Sequence, residues 1–158
     1  MSTKLQLPLT PEKALPKAQR YCAFQERSQQ EVRDKLYSWG LHRNQVETII
    51  SELIGDGFLK EERFAEAFVG GKFRIKKWGK VKIKQALKAK QVSEPLIRKA
   101  LAAISDADYR KMLEKVIADK AAKTSEKDPF KWKQQLARYA ISRGFESELV
   151  WEIIGGRD

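Results

Sequence analysis

Residues 28–54 read SQQEVRDKLYSWGLHRNQVETIISELI. Val32 and Leu36 stand one helical turn apart, Gly40 interrupts, Leu41 follows, and Val46, Ile49, Ile50 and Leu53 recur at i, i+3, i+4 and i+7. That spacing places each set on one face of an α-helix. Ser28 with Glu31 three residues on is a capping box, in which the hydroxyl takes an orphan amide and the carboxylate reaches back. Gly40 suits the left-handed position that ends a helix, and Gly55-Asp56-Gly57 stops the next one. The stretch therefore predicts two short helices around a tight break, with Leu41 as the apolar anchor in the break.

The same pattern occurs twice more. Leu41, Val92 and Phe145 align at offsets of 51 and then 53 residues. Around them run Val32/Ile83/Leu136, Leu36/Leu87/Ala140, Val46/Ile97/Val150, Ile49/Ala100/Ile153 and Ile50/Leu101/Ile154. Self-similarity at this period marks an array of helical units, none able to bury its apolar stripe alone. A helix precedes each pair: one with Pro16 in its first turn running to about Glu26, one over about 61–76 (Phe64, Ala65, Phe68, Val69, Phe73), and one carrying Tyr109, Met112, Leu113, Val116 and Ile117. Ser93-Glu94-Pro95 and Asp128-Pro129 are further start signals, and the polar segment 119–128 is expected to include a loop. The expected fold is all-α: three tandem three-helix, helix-turn-helix-like repeats in an elongated, curved array. Its boundaries are a flexible tail over 1–10, then repeats over 11–59, 60–104 and 105–158.

Charge sorts the repeats. The chain carries 32 Lys and Arg against 21 Asp and Glu, a net +11. Residues 11–59 balance seven against seven, 105–158 hold eleven against ten, and 60–104 hold thirteen basic against four acidic. No acid lies between Glu66 and Glu94, where Lys72, Arg74, Lys76, Lys77, Lys80, Lys82, Lys84, Lys88 and Lys90 crowd together. Such a stretch attracts polyanions, weakening as salt rises. These nine are the candidate binding residues, although a basic run also serves many proteins as a plain solvated face. Lys76, Lys80, Lys84 and Lys88 fall four apart and align on one face if the helix runs unbroken past Gly79. Like charges at that spacing cost a few tenths of a kcal/mol, which an anionic partner relieves.

Other chemistry is thinly supported. One histidine (His42) and one cysteine (Cys22) make no Cys/His zinc cluster and no internal disulfide, and no carboxylate motif suggests catalysis. No metal, no cofactor and no enzymatic activity are expected. The apolar runs fall far short of a membrane span, and MSTKLQLPLTPEK has no apolar signal core, so the expected location is the cytoplasm. Trp39, Trp78, Trp132 and Trp151 read as packing residues, with Trp78 the best placed to stack on a base because it sits inside the basic run. Gly70-Gly71 interrupts a helix, for close packing or a kink. The second helix of the break in the first repeat, HRNQVETIISELI, is net acidic, which argues against sequence-specific reading of DNA by that helix.

Arg27-Ser28, Glu31, Leu36, Ile49, Leu53, Gly57-Phe58-Leu59, Arg63-Phe64-Ala65, Phe68-Val69, Gly79 and Ile83 with Leu87 together resemble the RecX family of bacterial recombinase regulators. The stretches GFLKEERFAEAFV and KFRIKKWGKVKIKQAL match that family's glycine–aromatic–aliphatic step, acidic pair, Arg-Phe-Ala and basic segment. The likeness is strongest over about 20–104, with Glu61 standing where the family more often has a helix-capping Asp. The resemblance implies a monomer that binds the RecA recombinase filament in its groove, touches single- and double-stranded DNA through phosphates, and suppresses ATP hydrolysis, strand exchange and co-protease activity in DNA repair and the SOS response. A general nucleic-acid-binding accessory protein without a recombinase target is the alternative.

Overall fold

The computed structural model describes residues 8–155, and among these every regular element is a helix. In order they are α1 (Pro11–Phe24), α2 (Gln29–Ser38), α3 (Arg43–Gly55), α4 (Glu61–Arg74), α5 (Lys80–Ala89), α6 (Glu94–Ala102), α7 (Asp106–Lys123), α8 (Pro129–Ser142) and α9 (Ser147–Gly155). The fold is all-α and built from three three-helix repeats. Of the aligned apolar positions, all are buried except the half-buried Leu101. Each such aliphatic taken from water contributes about 1.5–3 kcal/mol before entropy is counted, so the repeated stripe is the principal source of stability.

The anchor's local geometry repeats as well. Gly40 has φ +87 and Gly144 φ +99. Leu41 donates its amide to the Leu36 carbonyl and Gly40 to Tyr37, while Phe145 donates to Ala140 and Gly144 to Ile141. This is the Schellman closure, which satisfies the last carbonyls of a helix and turns the next residue inward. In the second repeat the left-handed residue ahead of Val92 is Gln91, with φ +61.

Close contacts divide the chain into two units, the first running up to Ala67 and including Lys90–Val92, the second made of Phe68–Ala89 and the residues from Ser93 onward. In the first, α1, α2 and α3 pack on one another around Ala14, Ala18, Val32, Leu36, Val46, Ile50 and Leu53. Helix α1 begins earlier than the sequence suggests: Thr10 caps it, Pro11 occupies its first turn and Pro16 lies within it. Residues 1–7 of the expected tail lie outside the described residues, whereas Leu9 donates to the Trp39 carbonyl at 3.0 Å and packs on the core. Ser28 is fully buried and accepts the Glu31 amide at 3.0 Å, which is the hydroxyl half of the expected capping box; the Glu31 carboxylate does not reach back to the Ser28 amide. Glu31 pairs with Lys90 at 3.3 Å. Glu61 opens α4 and accepts the Gln29 amide at 2.5 Å. Its extra methylene, relative to Asp, carries the carboxylate to the start of α2, so it caps a neighbouring helix.

In the second unit α5 packs on α6, and α7, α8 and α9 pack on one another. Helix α6 ends at Ala102, short of Ile104, and α7 continues to Lys123, so the loop expected within 119–128 occupies 124–128. Tyr109 joins the groups: its ring stacks at 5.3 Å from Phe145 and 6.0 Å from Phe73.

Candidate nucleic-acid interface

The basic stretch follows α4 into α5, and its shape is set at the chain reversal between them. Lys77 takes φ +57, a conformation that costs an L-residue on the order of 1 kcal/mol. The reversal brings the Trp78 amide to the Lys72 carbonyl at 3.0 Å. The entry to α5 is then held by the third repeat. Gly79 donates to the Arg143 carbonyl at 2.8 Å and Val81 to Gly144 at 3.0 Å; Lys80 donates its amide to the Tyr109 hydroxyl at 2.9 Å. Burial, and then the Glu146 carboxylate to which it donates, push that hydroxyl far above its ordinary range, so it remains a donor. The Arg143 guanidinium donates to the Lys76 carbonyl. The Gly79, Lys80 and Val81 amides at the start of α5 are thus occupied by protein oxygens.

Eight of the nine candidates lie in the second unit, and they form separate local groups rather than one row. Lys72 and Lys82 place their ammonium groups 4.8 and 4.5 Å from the centre of the Trp78 ring, and Lys72 is also 5.3 Å from Phe68. Lys80 lies 4.8 Å from the Tyr109 ring. Lys84 and Lys88 converge on Glu94, at 3.3 and 3.7 Å, and the hydrogen bond from Lys84 holds the Glu94 carboxyl below its usual range. Their mutual repulsion is therefore partly offset by one shared, exposed carboxylate. Lys77 reaches Asp119 at 3.7 Å. Arg74 and Lys76 are exposed; Lys76 follows the end of α4, so the four-residue spacing continues only through Lys80, Lys84 and Lys88 of α5. Lys82 leaves that helix on a different side. Lys90 belongs to the first unit, paired with Glu31.

Charge counting along the chain shows none of these pairings: Asp119 and Glu31 lie outside the acid-free window, and Glu94 appears only as its boundary. Trp78 acquires two cations because Lys77 reverses the chain; its position within the lysine run was the available signal. Trp39 packs on the first core with the Lys17 ammonium 4.7 Å from its ring. His42 precedes α3 and donates its amide to Gln45 at 2.9 Å, and burial pushes the Cys22 thiol up. Among the described residues no cluster of His, Cys, Asp and Glu is arranged to hold a metal ion, and no helix is long and apolar enough to cross a membrane.

Comparison with known proteins gives consistent matches. Family models of the first, second and third three-helix domains of RecX match residues 14–53, 61–101 and 107–154. The regulatory protein RecX of Thermotoga maritima is 30% identical over 151 residues, 95% of this chain and 88% of that protein. The regulatory protein RecX of Streptococcus uberis is 31% identical over 136 residues, 85% of this chain and 52% of that protein. The chain spans about half the length of several curated relatives it matches, including those of Streptococcus uberis and Halalkalibacterium halodurans. The crystal structure of RecX from Lactobacillus salivarius superposes with a TM-score of 0.82 at 23% identity, over 92% of this chain and 95% of that one. A second crystal structure, of regulatory protein RecX, gives 0.84 at 21% identity over 93% and 72%. The folds agree, and the matched domains follow one another through all three repeats. This chain belongs to the RecX family of regulatory proteins.

Proposed function

We propose that this protein is a non-catalytic, cytoplasmic regulator that binds the RecA–DNA filament as a monomer and inhibits RecA recombinase, ATPase and co-protease activities during DNA repair and the SOS response. The observation that carries the reading is membership of the RecX family through all three repeats. The cations of the second repeat support contact with DNA phosphates, single- or double-stranded. Lys72, Arg74, Lys76, Lys77, Lys80, Lys82, Lys84, Lys88 and Lys90 are the proposed contacts. Phosphate contact requires only Lys and Arg and is indifferent to sequence, which suits a partner tracked along its length. No cofactor or metal enters the proposal, and His42 and Cys22 are given no chemistry.

The test is the RecA ATPase on single-stranded DNA with added protein, together with co-sedimentation with RecA–DNA and with bare DNA across a salt series. Inhibition and filament association at physiological salt are expected, and absence of both rejects the proposal. Binding to bare DNA as tight as to the filament favours a general nucleic-acid accessory protein instead. Charge reversal of Lys80, Lys84 and Lys88 is expected to impair filament binding far more than reversal of Lys111, Lys115 and Lys120.

A further inference from the structure

We infer that Trp78 is a positioning residue, which holds Lys72 and Lys82 as a two-ammonium clamp for the phosphates of a single-stranded nucleic acid. The inference rests on the reading of the basic stretch as a nucleic-acid contact. It adds a division of labour that charge alone does not supply.

Lysine side chains are long, and fixing one on a ligand costs rotamer entropy at the moment of binding. Here two ammonium groups from different helices already share one ring, at 4.8 and 4.5 Å from its centre. Cations sit over an indole by attraction to its negative face. Trp78 is itself fixed, its amide bonded to the Lys72 carbonyl and its position set by the left-handed Lys77. Among the described residues neither Lys72 nor Lys82 pairs with a carboxylate, in contrast to Lys77, Lys84, Lys88 and Lys90. The two cations held by the ring are thus among those not already neutralised, together with Arg74, Lys76 and Lys80, and they are the two that share one aromatic ring. With ammonium groups over the indole, a base does not stack there without displacing them. The geometry favours phosphate capture over stacking.

The experiment titrates the full-length protein onto fluorescein-labelled oligo(dT) over a salt series, for the parent and for Trp78→Phe, Trp78→Leu, Lys72→Gln/Lys82→Gln and the triple Trp78→Leu/Lys72→Gln/Lys82→Gln. The lysine pair is expected to lower the slope of log K against log salt by roughly 1.4, the release of two counterions from a single strand. Trp78→Leu is expected to weaken binding about three- to tenfold, with Trp78→Phe within about twofold of the parent because a ring face remains. The triple variant is expected to bind no more weakly than the lysine pair, since the ring acts through those lysines. Helical circular dichroism and the thermal midpoint monitor folding. In the unmutated protein, the Lys72 and Lys82 side-chain methylene resonances are expected to be shifted upfield by the ring and perturbed by oligo(dT); this readout needs no variant to fold.

A lysine pair that weakens binding while Trp78→Leu leaves it unchanged overturns the clamp and spares the nucleic-acid reading. A Trp78→Leu loss that is additive with the lysines and leaves the salt slope intact means the ring stacks on bases, and also overturns it. If the lysine pair changes nothing while the parent binds oligo(dT), the clamp is overturned and the other cations carry the contact; if the parent itself shows no salt-sensitive binding to oligo(dT), the nucleic-acid reading fails and the clamp fails with it.

Discussion

Gly79 and Gly144 meet backbone to backbone: a β-carbon on Gly79 would fall on the Gly144 carbonyl, and one on Gly144 would fall on Lys82. This closeness lets Gly79 and Val81 donate to the carbonyls of Arg143 and Gly144. The glycine that ends α8 therefore also receives the start of α5, so one residue serves a turn and a helix junction together.

Substitution at this junction is expected to be costly. Gly79→Ala must separate the two backbones, at about 2–4 kcal/mol, in the range of severe overpacking or loss of a buried hydrogen bond. Gly144→Ala adds the left-handed penalty of about 1 kcal/mol or more. Urea unfolding followed by circular dichroism checks both; losses below about 1 kcal/mol would mean the backbones part easily.

Two other positions are expected to move the opposite way. Gln91 holds the left-handed conformation that glycine adopts freely, so Gln91→Gly is expected to stabilise by about 1 kcal/mol. Gly71 lies inside α4, and a β-carbon added there would meet nothing within 4 Å. Gly71→Ala is therefore expected to stabilise by about 0.4–1 kcal/mol. Close packing is not the reason for Gly71. The same unfolding measurement decides both, and a destabilised Gly71→Ala would show that α4 needs the glycine.

Glu94 restrains two candidate contacts. Lys84 and Lys88 both pair with it; its carboxyl is ionised at neutral pH as any exposed glutamate is, and the hydrogen bond from Lys84 holds it further below its usual range. If these lysines meet phosphates, Glu94→Gln removes a competing anion and is expected to tighten oligonucleotide binding several-fold at low salt, with the gain shrinking as salt rises. Fluorescence anisotropy across the salt series measures it; unchanged affinity at low salt would place the pair away from the contact.

The Glu61 carboxyl is raised by burial, although the Gln29 amide pulls it down. A carboxyl raised on folding contributes stability below its unfolded value, about 4.3, and loses it as pH rises through the folded value. Glu61→Gln keeps an acceptor for Gln29 without a buried charge. The variant is expected to match the parent at acid pH and to exceed it increasingly towards neutrality. Thermal midpoints against pH test the sign, and a gap that widens on acidification would reverse it.

Helix number, order and inward faces were legible in the sequence because a helix reports its buried side through spacing of three and four residues. Ser28, Gly40, Asp128 and Gly144 were legible as punctuation because caps and left-handed turns demand particular side chains within a few positions. Glu61 misleads for the same reason: its position suggests a role in its own helix, and its carboxylate caps α2. The nine basic residues were legible as a charge excess but not as groups. Lys84 and Lys88 find Glu94, Lys77 finds Asp119 and Lys90 finds Glu31 through distances in space that linear counting does not contain.

By itself the sequence determined the three repeats, their apolar stripes and the concentration of positive charge in the second, since periodicity and composition are local properties of the chain. Only the tertiary structure decided which cations are already neutralised, that the start of α5 is closed by Arg143, Gly144 and Tyr109, and that Lys72 and Lys82 share Trp78. The physical reason is that electrostatic and hydrogen-bond partners are chosen by proximity after packing, and packing joins residues dozens of positions apart.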